Sequence, residues 1–189
     1  MSTLGPEIRL LLVLVAWGAW FLALVGLRKS RREPAVRIDS RARWGLVLQM
    51  AGYAVVCSQS PRVWASELEV WRAIAGTLLA IIAILLFWNA VVSLGRQWRF
   101  DAGLNKDHEL VQRGVYSIVR HPIYASMFAM LLADVLLIGT LPGWPIGVVL
   151  FIVGTEIRVR VEDGLLYERF GERFLEWQKS RPAYLPFVR

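Results

Sequence analysis

The sequence predicts an all-α integral membrane protein with five transmembrane helices and a polar pocket at the cytoplasmic face, formed by its C-terminal half. Three observations support this fold class. Hydrophobic residues make up 56% of the 189 residues. They occur in runs close to the roughly 20 residues that a helix needs to cross a bilayer. The excess of 22 Lys and Arg over 15 Asp and Glu lies between these runs, as the positive-inside rule expects.

The first half of the chain, residues 1–94, contains three of the predicted spans. Residues 8–27 form the first, and a retained helix is favoured over a signal peptide because the basic cluster follows the run. That cluster, within residues 28–43, predicts a cytoplasmic loop and an external N-terminus. The second and third spans cover residues 44–60 and 71–94.

The second half, residues 95–189, forms one structural domain with the first and contains the two remaining spans. A basic segment, 95–122, is predicted to be cytoplasmic, and the fourth span follows at 123–140. The breaker Leu141-Pro142-Gly143-Trp144-Pro145 predicts a tight reversal. The fifth span, 146–155, is expected to continue as a helix into the charged segment 156–163, and the basic tail is predicted to be cytoplasmic.

Two polar residues lie within the predicted spans. Asp134, in the fourth span, is equally consistent with a residue that lines the site and with an interhelical hydrogen-bond partner. Asn89, near the end of the third span, is consistent with a hydrogen bond to a neighbouring helix or a contact with a ligand, and the hydrogen bond is favoured.

Both histidines of the chain lie in one polar segment, HELVQRGVYSIVRHPIY at residues 108–124. Placing a polar, titratable segment beside apolar spans costs free energy unless the segment faces water or a ligand. The tight reversal makes the fourth and fifth spans antiparallel neighbours, which predicts that Arg120 and His121 lie near Arg158 and Glu162. The alternative is that the opposite charges of Arg158 and Glu162, four residues apart, only solvate the helix end.

Several functional classes are excluded or disfavoured by the sequence. No two glycines stand in a G-x-G arrangement, so a dinucleotide fingerprint is absent, and no G-x-S-x-G motif occurs. Two histidines and the single Cys57 do not make a four-ligand zinc site, so no metal is predicted. Nucleic-acid binding is disfavoured because the arginines flank apolar runs.

Two ordered motifs carry a resemblance to a known family. The first is H-E-L-V-x-x-G-x-Y-x-x-x-R-H-P-x-Y at 108–124, and the second is R-x-x-x-E-D-x-x-L-x-x-x-F-G at 158–171. Together they resemble the isoprenylcysteine carboxyl methyltransferase family, whose phospholipid N-methyltransferase relatives share much of the pattern. The resemblance covers residues 95–189. It differs at one position, because the family usually has Glu-Glu where this chain has Glu162 and Asp163.

The resemblance implies an integral membrane enzyme that binds S-adenosylmethionine in a cytoplasmic pocket. It assigns catalytic roles around the reacting carboxylate to Arg158, Asp163 and Glu162. It assigns cofactor binding to nine residues: His108, Leu110, Val111, Gly114, Tyr116, Arg120, His121, Tyr124 and Glu162.

The implied reaction is methylation of the carboxylate of a lipophilic, prenylcysteine-like substrate in a lipid membrane. A carboxylate acceptor needs no base, and Arg158 is suited to hold it with two hydrogen bonds, whereas an amine acceptor would need a base. The alternatives are an N-methyltransferase of an amine-bearing lipid, an NADPH-dependent membrane reductase of the sterol reductase type, and a transport or scaffold protein. The sequence makes no prediction about the oligomeric state.

Overall fold

The structure is a computed structural model that describes residues 2–26, 37–58, 66–99, 102–139 and 143–184. Most of the predicted loop at 28–43, the first two residues of the predicted reversal and the end of the tail lie outside the described residues. The described residues form six α-helices: α1 (Pro6–Gly26), α2 (Ala42–Cys57), α3 (Val70–Leu94), α4 (Pro122–Ile138), α5 (Gly143–Phe170) and α6 (Glu172–Ser180).

The first five helices agree with the predicted spans to within a few residues at most ends, which confirms the helical class. As expected, α5 continues through the charged segment, to Phe170. Among the described residues, one helical stretch, Val70–Gln97, is long and apolar enough to cross a membrane. The helix Pro122–Ile138 is apolar but shorter. Five membrane crossings therefore stay a prediction.

Two short antiparallel strand pairs are absent from the all-α prediction. In the first pair, Thr3 and Leu4 of β1 (Thr3–Leu4) face Glu69 and Leu68 of β3 (Leu68–Glu69). In the second, β2 (Arg37–Ile38) pairs with β4 (Gly103–Leu104). Two-residue strands are too short to show an alternating pattern in sequence. Each pair joins segments that the charge pattern assigns to one side of the membrane.

The helices pack in pairs that differ from the predicted ones. The most extensive contacts join α2 to α5 and α3 to α4, whereas α4 and α5 contact each other sparsely. The tight reversal makes α4 and α5 neighbours, as predicted, but each of them packs mainly against another helix. They meet at separate points, such as the stacked rings of Phe128 and Phe151, whose centroids are 5.8 Å apart.

Glycines explain why α5 packs on α2. Gly45 faces Gly154, and Gly52 faces Gly147. A Cβ atom added to any of these glycines would lie too close to the carbonyl oxygen of the facing glycine. The distance would be 2.5 Å for Gly45, Gly52 and Gly154 and 2.7 Å for Gly147. The two helix backbones are thus in direct contact, as small residues allow in helical membrane proteins. The seven-residue spacing of the glycines on each helix places both contacts on one face.

The two polar residues inside the predicted spans have different environments. Asp134 is 1% exposed, and its Oδ1 accepts a hydrogen bond from Trp17 Nε1 at 3.2 Å. It is thus an interhelical partner, one of its two expected roles. Asn89 is exposed and donates to the Leu85 carbonyl of its own helix at 2.8 Å. The expected bond from Asn89 to a neighbouring helix is wrong.

The glycine contact predicts an asymmetry between two substitutions on α5. Gly154→Ala would place a methyl group 2.5 Å from the Gly45 carbonyl oxygen, and we expect a loss of about 1–3 kcal/mol in unfolding free energy because two backbones would have to move apart. Gly164→Ala is the matched control, since a Cβ there has no neighbour within 4 Å. It should leave stability unchanged or raise it by about 0.4–1 kcal/mol. Denaturant unfolding in detergent micelles measures both, and equal effects would contradict the backbone contact.

Candidate active site

The polar segment 108–124 reaches α4 through a short 3₁₀-helix, Gly114–Ser117. Gly114 has a φ of +60°, in the region that favours glycine, and a Cβ atom there would overlap Ser93 Oγ of α3. The segment then enters α4 at Pro122, a first-turn position that suits proline because its φ is already helical. His121, the residue before it, is thereby fixed at the start of the helix.

The C-terminal segment after α6 holds this part of the chain through backbone atoms. The amides of Arg120 and His121 donate to the carbonyls of Pro182 and Ala183, at 2.9 and 2.8 Å. The Arg120 Nε atom donates to the Arg181 carbonyl at 3.0 Å. The segment 181–183 therefore fixes the backbone that carries both side chains.

The carboxylate of Asp163 links three parts of the chain. Its Oδ2 atom accepts hydrogen bonds from Arg120 Nη1 at 2.6 Å and from Gln178 Nε2 at 3.1 Å. Its Oδ1 atom lies 2.9 Å from His121 Nε2. Only 9% of the residue is exposed, and both of its carboxylate oxygens are bonded to other side chains of the protein. These contacts connect α5 to the start of α4 and to α6.

The pairing of Asp163 with His121 changes the pKa of both groups. Burial alone would lower the pKa of His121, but its hydrogen bond to Asp163 and the nearby carboxylate of Glu162 outweigh burial and raise it. Burial alone would raise the pKa of Asp163, but the bonds from His121 and Arg120 outweigh it and lower the pKa. Each group thus favours the charged form of the other.

A second set of contacts runs from α5 to α4 and back. Arg158 Nε donates to the Tyr124 hydroxyl at 2.8 Å, and that hydroxyl donates to Glu162 Oε1. The guanidinium carbon of Arg158 lies 5.5 Å from the centre of the Tyr124 ring. Glu162 Oε2 is 3.6 Å from His121 Nδ1. The expected approach of Arg120 and His121 to Arg158 and Glu162 is thus present, although it does not arise from close packing of α4 on α5.

A cavity of about 340 Å³ connects these side chains to the interior of the helix bundle, a volume typical of small-molecule sites. Its polar end is lined by His108, Arg120, His121, Tyr124, Arg158 and Glu162. From there an apolar arm extends between helices, lined by Trp17, Trp20, Phe21, Met50, Tyr53 and Phe87. One space therefore joins a charged end to a hydrocarbon-like interior.

Most of the predicted site residues meet in this cavity. Besides the six at the polar end, Leu110, Val111 and Tyr116 line it. Gly114 and Asp163 are not among its lining residues. Gly114 allows the approach to α3, and Asp163 lies behind Arg120 and His121.

The sequence predictions missed the contribution of the N-terminal half. The apolar arm is built by α1, α2 and α3, so the pocket is not formed by the C-terminal half alone. Trp177 of α6, next to Phe174 in the apolar cluster that packs on Leu110 and Tyr116, also lines it. The strongly one-sided distribution of apolar residues in α6 was the available signal for that packing.

The comparisons with known proteins agree with the resemblance. Residues 76–168 match the isoprenylcysteine carboxyl methyltransferase (ICMT) family. Over 121 residues the chain is 27% identical to protein-S-isoprenylcysteine O-methyltransferase B of Arabidopsis thaliana, covering 62% of this chain and 61% of that protein. It is 29% identical over 129 residues to the Xenopus laevis protein-S-isoprenylcysteine O-methyltransferase, covering 63% of this chain and 42% of the relative.

A solved structure is similar in fold. It is the eukaryotic intramembrane Ras methyltransferase ICMT, which superimposes with a TM-score of 0.59 at 20% sequence identity. The superposition covers 81% of this chain and 55% of that one. The match thus spans only part of the length of these proteins.

The titration of His121 and Asp163 predicts a pH dependence of stability. The raised pKa of His121 contributes stability below about pH 6.5 that is lost as pH rises through the raised value. The lowered pKa of Asp163 contributes stability above about pH 3.9 that is lost as pH falls through the lowered value. We therefore expect the difference in unfolding temperature between the wild type and Asp163→Asn to be largest at about pH 5–6.

Asp39→Asn is the matched control for this measurement. Asp39 forms an exposed ion pair with Arg41, whose charge does not change in this range. Its effect on unfolding temperature should be small and constant above pH 5. A difference for Asp163→Asn that stays constant from pH 5 to 9 would contradict the coupling to His121.

Proposed function

We propose that the chain, whose residues 76–168 match the isoprenylcysteine carboxyl methyltransferase family, transfers a methyl group from S-adenosylmethionine to the carboxylate of a lipophilic, prenylcysteine-like substrate. The observation that carries the proposal is the cavity that joins an apolar arm to a charged end containing Arg158 and Glu162. A lipid tail fits the first part, and a charged acceptor with a charged cofactor fits the second.

Arg158 is the residue suited to hold the acceptor carboxylate. Only 7% of it is exposed, it lines the cavity, and Tyr124 orients its guanidinium by accepting a hydrogen bond from Nε. An oriented guanidinium binds a carboxylate with two parallel hydrogen bonds and fixes its direction. Alignment of this kind contributes up to about 7–11 kcal/mol to lowering a barrier. The acceptor is already an anion, so no base is required.

The polar end of the cavity has the groups that S-adenosylmethionine needs. When bound, the cofactor would supply a methyl group attached to a positively charged sulfur. The acceptor oxygen would form the new bond to this methyl group, and the sulfur would keep the electron pair of the broken carbon–sulfur bond. Glu162 offers a carboxylate for the positive charges, and Tyr116 and Trp177 offer aromatic surface. His108 Nδ1 and Trp177 Nε1 are buried with no hydrogen-bond partner among the described residues. Polar atoms of a bound nucleoside would satisfy them.

His108 is suited to contact a neutral heterocycle. Burial lowers its pKa, and the positive charges of Arg169 and Arg99 lower it further. The ring is therefore neutral at physiological pH, with one nitrogen donating and the other accepting.

The contacts of Asp163 support a positioning role and not the catalytic one that the resemblance implies. Both of its oxygens bind residues of the protein, and it does not line the cavity. Through it, Arg120 and His121 are held against the cavity wall. The residues proposed to touch the reacting groups are then Arg158 and Glu162.

We further propose that the polar end faces the cytoplasm. The β2–β4 pair joins the basic segments before α2 and after α3, so these lie on one side. The β1–β3 pair joins the N-terminus to the segment before α3. The segments joined by β2 and β4 carry the surplus of positive charge, which assigns them to the cytoplasm.

Site-directed labelling tests this orientation. In a Cys57→Ser background, Ser66→Cys should react with a membrane-impermeant thiol reagent added from outside, because residue 66 precedes β3 on the external side. Glu176→Cys, exposed on α6, is the control with the opposite expectation. Labelling of residue 66 only from the cytoplasmic side would reverse the proposed topology.

Substitution of Arg158 tests the carboxylate clamp. Arg158→Ala should lower kcat/KM for a prenylcysteine carboxylate by roughly 100-fold, because a buried ionic contact is lost in the transition state. S-Adenosylhomocysteine affinity should change little. Arg158→Lys should restore little activity, since an ammonium cannot make the planar two-bond contact. In contrast, Glu162→Gln should weaken S-adenosylhomocysteine binding.

Arg160→Ala is the matched control on the same helix. Arg160 pairs with Glu156, and 71% of its side chain is exposed, so methyl transfer should be unchanged. Near-normal rates for Arg158→Lys, or transfer only to an amine-bearing lipid, would contradict the clamp. Absence of S-adenosylhomocysteine binding by the wild type would contradict the proposed cofactor.

A further inference from the structure

A groove outside the cavity lies on the surface of the protein, between α6 and the 3₁₀-helix Gly114–Ser117. Its volume is about 490 Å³. Its lining residues are Gln112, Ser117, Arg173, Glu176, Trp177, Ser180 and Arg181. Two arginines and one glutamate give the groove a net charge of +1. A groove with this charge is complementary to a ligand that carries one negative charge.

The charged side chains of the groove are available to a ligand. Arg173 and Glu176 are three residues apart on α6, yet neither side chain forms an ion pair or a hydrogen bond with any residue that the structure describes. Arg181 donates only from Nη1, to the carbonyl of its neighbour Ser180 at 2.8 Å. A guanidinium binds phosphate oxygens well, because its N–H groups form a planar fork. The two arginines can therefore bind a phosphate without breaking a salt bridge of the fold.

The inner side of α6 places the groove beside the ends of apolar helices. Phe174 and Trp177 pack in one cluster with Ala90 of α3. Ala90 belongs to the helical stretch Val70–Gln97, which is long and apolar enough to cross a membrane. Ile123, in the first turn of α4, packs against the same cluster. The groove thus lies at the level where the helix bundle meets the membrane surface.

The surface next to the groove is apolar. Ile118 directly follows Ser117 and is 56% exposed, although it is a large hydrophobic residue. An exposed apolar side chain next to basic side chains is typical of surfaces that lie at a lipid headgroup region, because the apolar group enters the acyl boundary and the basic groups meet phosphates. A soluble phosphate compound would use the arginines and leave Ile118 in water. This arrangement favours a lipid as the ligand.

We propose that the groove binds the headgroup of an anionic phospholipid of the cytoplasmic leaflet. The phosphate lies between Arg173 and Arg181, and the glycerol and acyl chains pass over Ile118. Glu176 limits the net charge of the groove, which favours a singly charged lipid such as phosphatidylglycerol over a multiply charged one. This site does not depend on methyl transfer, and only the choice of leaflet depends on the proposed orientation.

A lipid in the groove would also support the candidate active site. Trp177 lines both the groove and the cavity. Arg181, whose side chain lines the groove, accepts a hydrogen bond from Arg120 Nε through its carbonyl. Gln178, on the same helix, donates to Asp163. Because a ligand that binds only the folded state stabilises it, a lipid that holds α6 and Arg181 stabilises the polar end of the cavity as well.

Lipid binding to the full-length protein in detergent tests this proposal. Native mass spectrometry would give the Kd of phosphatidylglycerol and of phosphatidylcholine, which is zwitterionic and serves as the neutral reference. The wild type should bind phosphatidylglycerol about tenfold or more tightly than phosphatidylcholine, because each arginine beside an anionic headgroup contributes about fivefold. Arg173→Gln and Arg181→Gln should each reduce this ratio by about fivefold.

Lys179→Gln is the matched control, since it removes the same charge from an exposed position of α6 that does not line the groove. It should change the ratio little. As a second readout, phosphatidylglycerol in phosphatidylcholine nanodiscs should raise the unfolding temperature of the wild type more than that of Arg173→Gln. Equal Kd values for the two lipids in the wild type, or equal losses in Arg173→Gln and Lys179→Gln, would overturn the proposal. Stabilisation by inorganic phosphate equal to that by phosphatidylglycerol would assign the groove to a soluble anion and overturn it too.

Discussion

The buried carboxylate of Asp163 is the interaction on which the geometry of the site depends. It bonds to Arg120 and His121 at the start of α4 and to Gln178 on α6. Buried charges are expensive to desolvate and tolerable only when fully paired. This requirement couples the three segments, because the removal of one would leave a charge without its partner. The polar end of the cavity therefore forms as a unit.

The glycine contact between α2 and α5 places the other half of the site. It brings the α2 backbone against α5 beside Arg158 and leaves α4 and α5 apart. The space between the two helix pairs becomes the cavity. The packing that stabilises the fold thus also creates the volume in which the proposed chemistry occurs.

The sequence was sufficient to predict the positions of the helices and most of the side chains at the polar end of the cavity. Apolar runs define helices through their length alone, and the two motifs contain most of the residues that line the polar end. The α2–α5 pairing was not predicted, because the glycines at 45, 52, 147 and 154 were given no weight beside proximity along the chain. Their repeated seven-residue spacing was visible in the sequence.

The strand pairs and the contribution of α1–α3 to the apolar arm depend on contacts between distant segments, which no local pattern encodes. The role of Asp163 depends on orientation, because Glu162 and Asp163 are adjacent yet point to different partners.

The segment after α6 has a consequence for how the chain tolerates variation. It holds Arg120 and His121 through the carbonyl oxygens of residues 181, 182 and 183, atoms that every amino acid possesses. Proline at position 182 loses nothing, since its missing N–H is not used in these bonds. These bonds therefore fix the length and path of the segment, while the burial of Ala183 limits the size of the side chain there. A truncation before residue 181 would remove the bonds that hold Arg120 and His121, which lie far earlier in the chain.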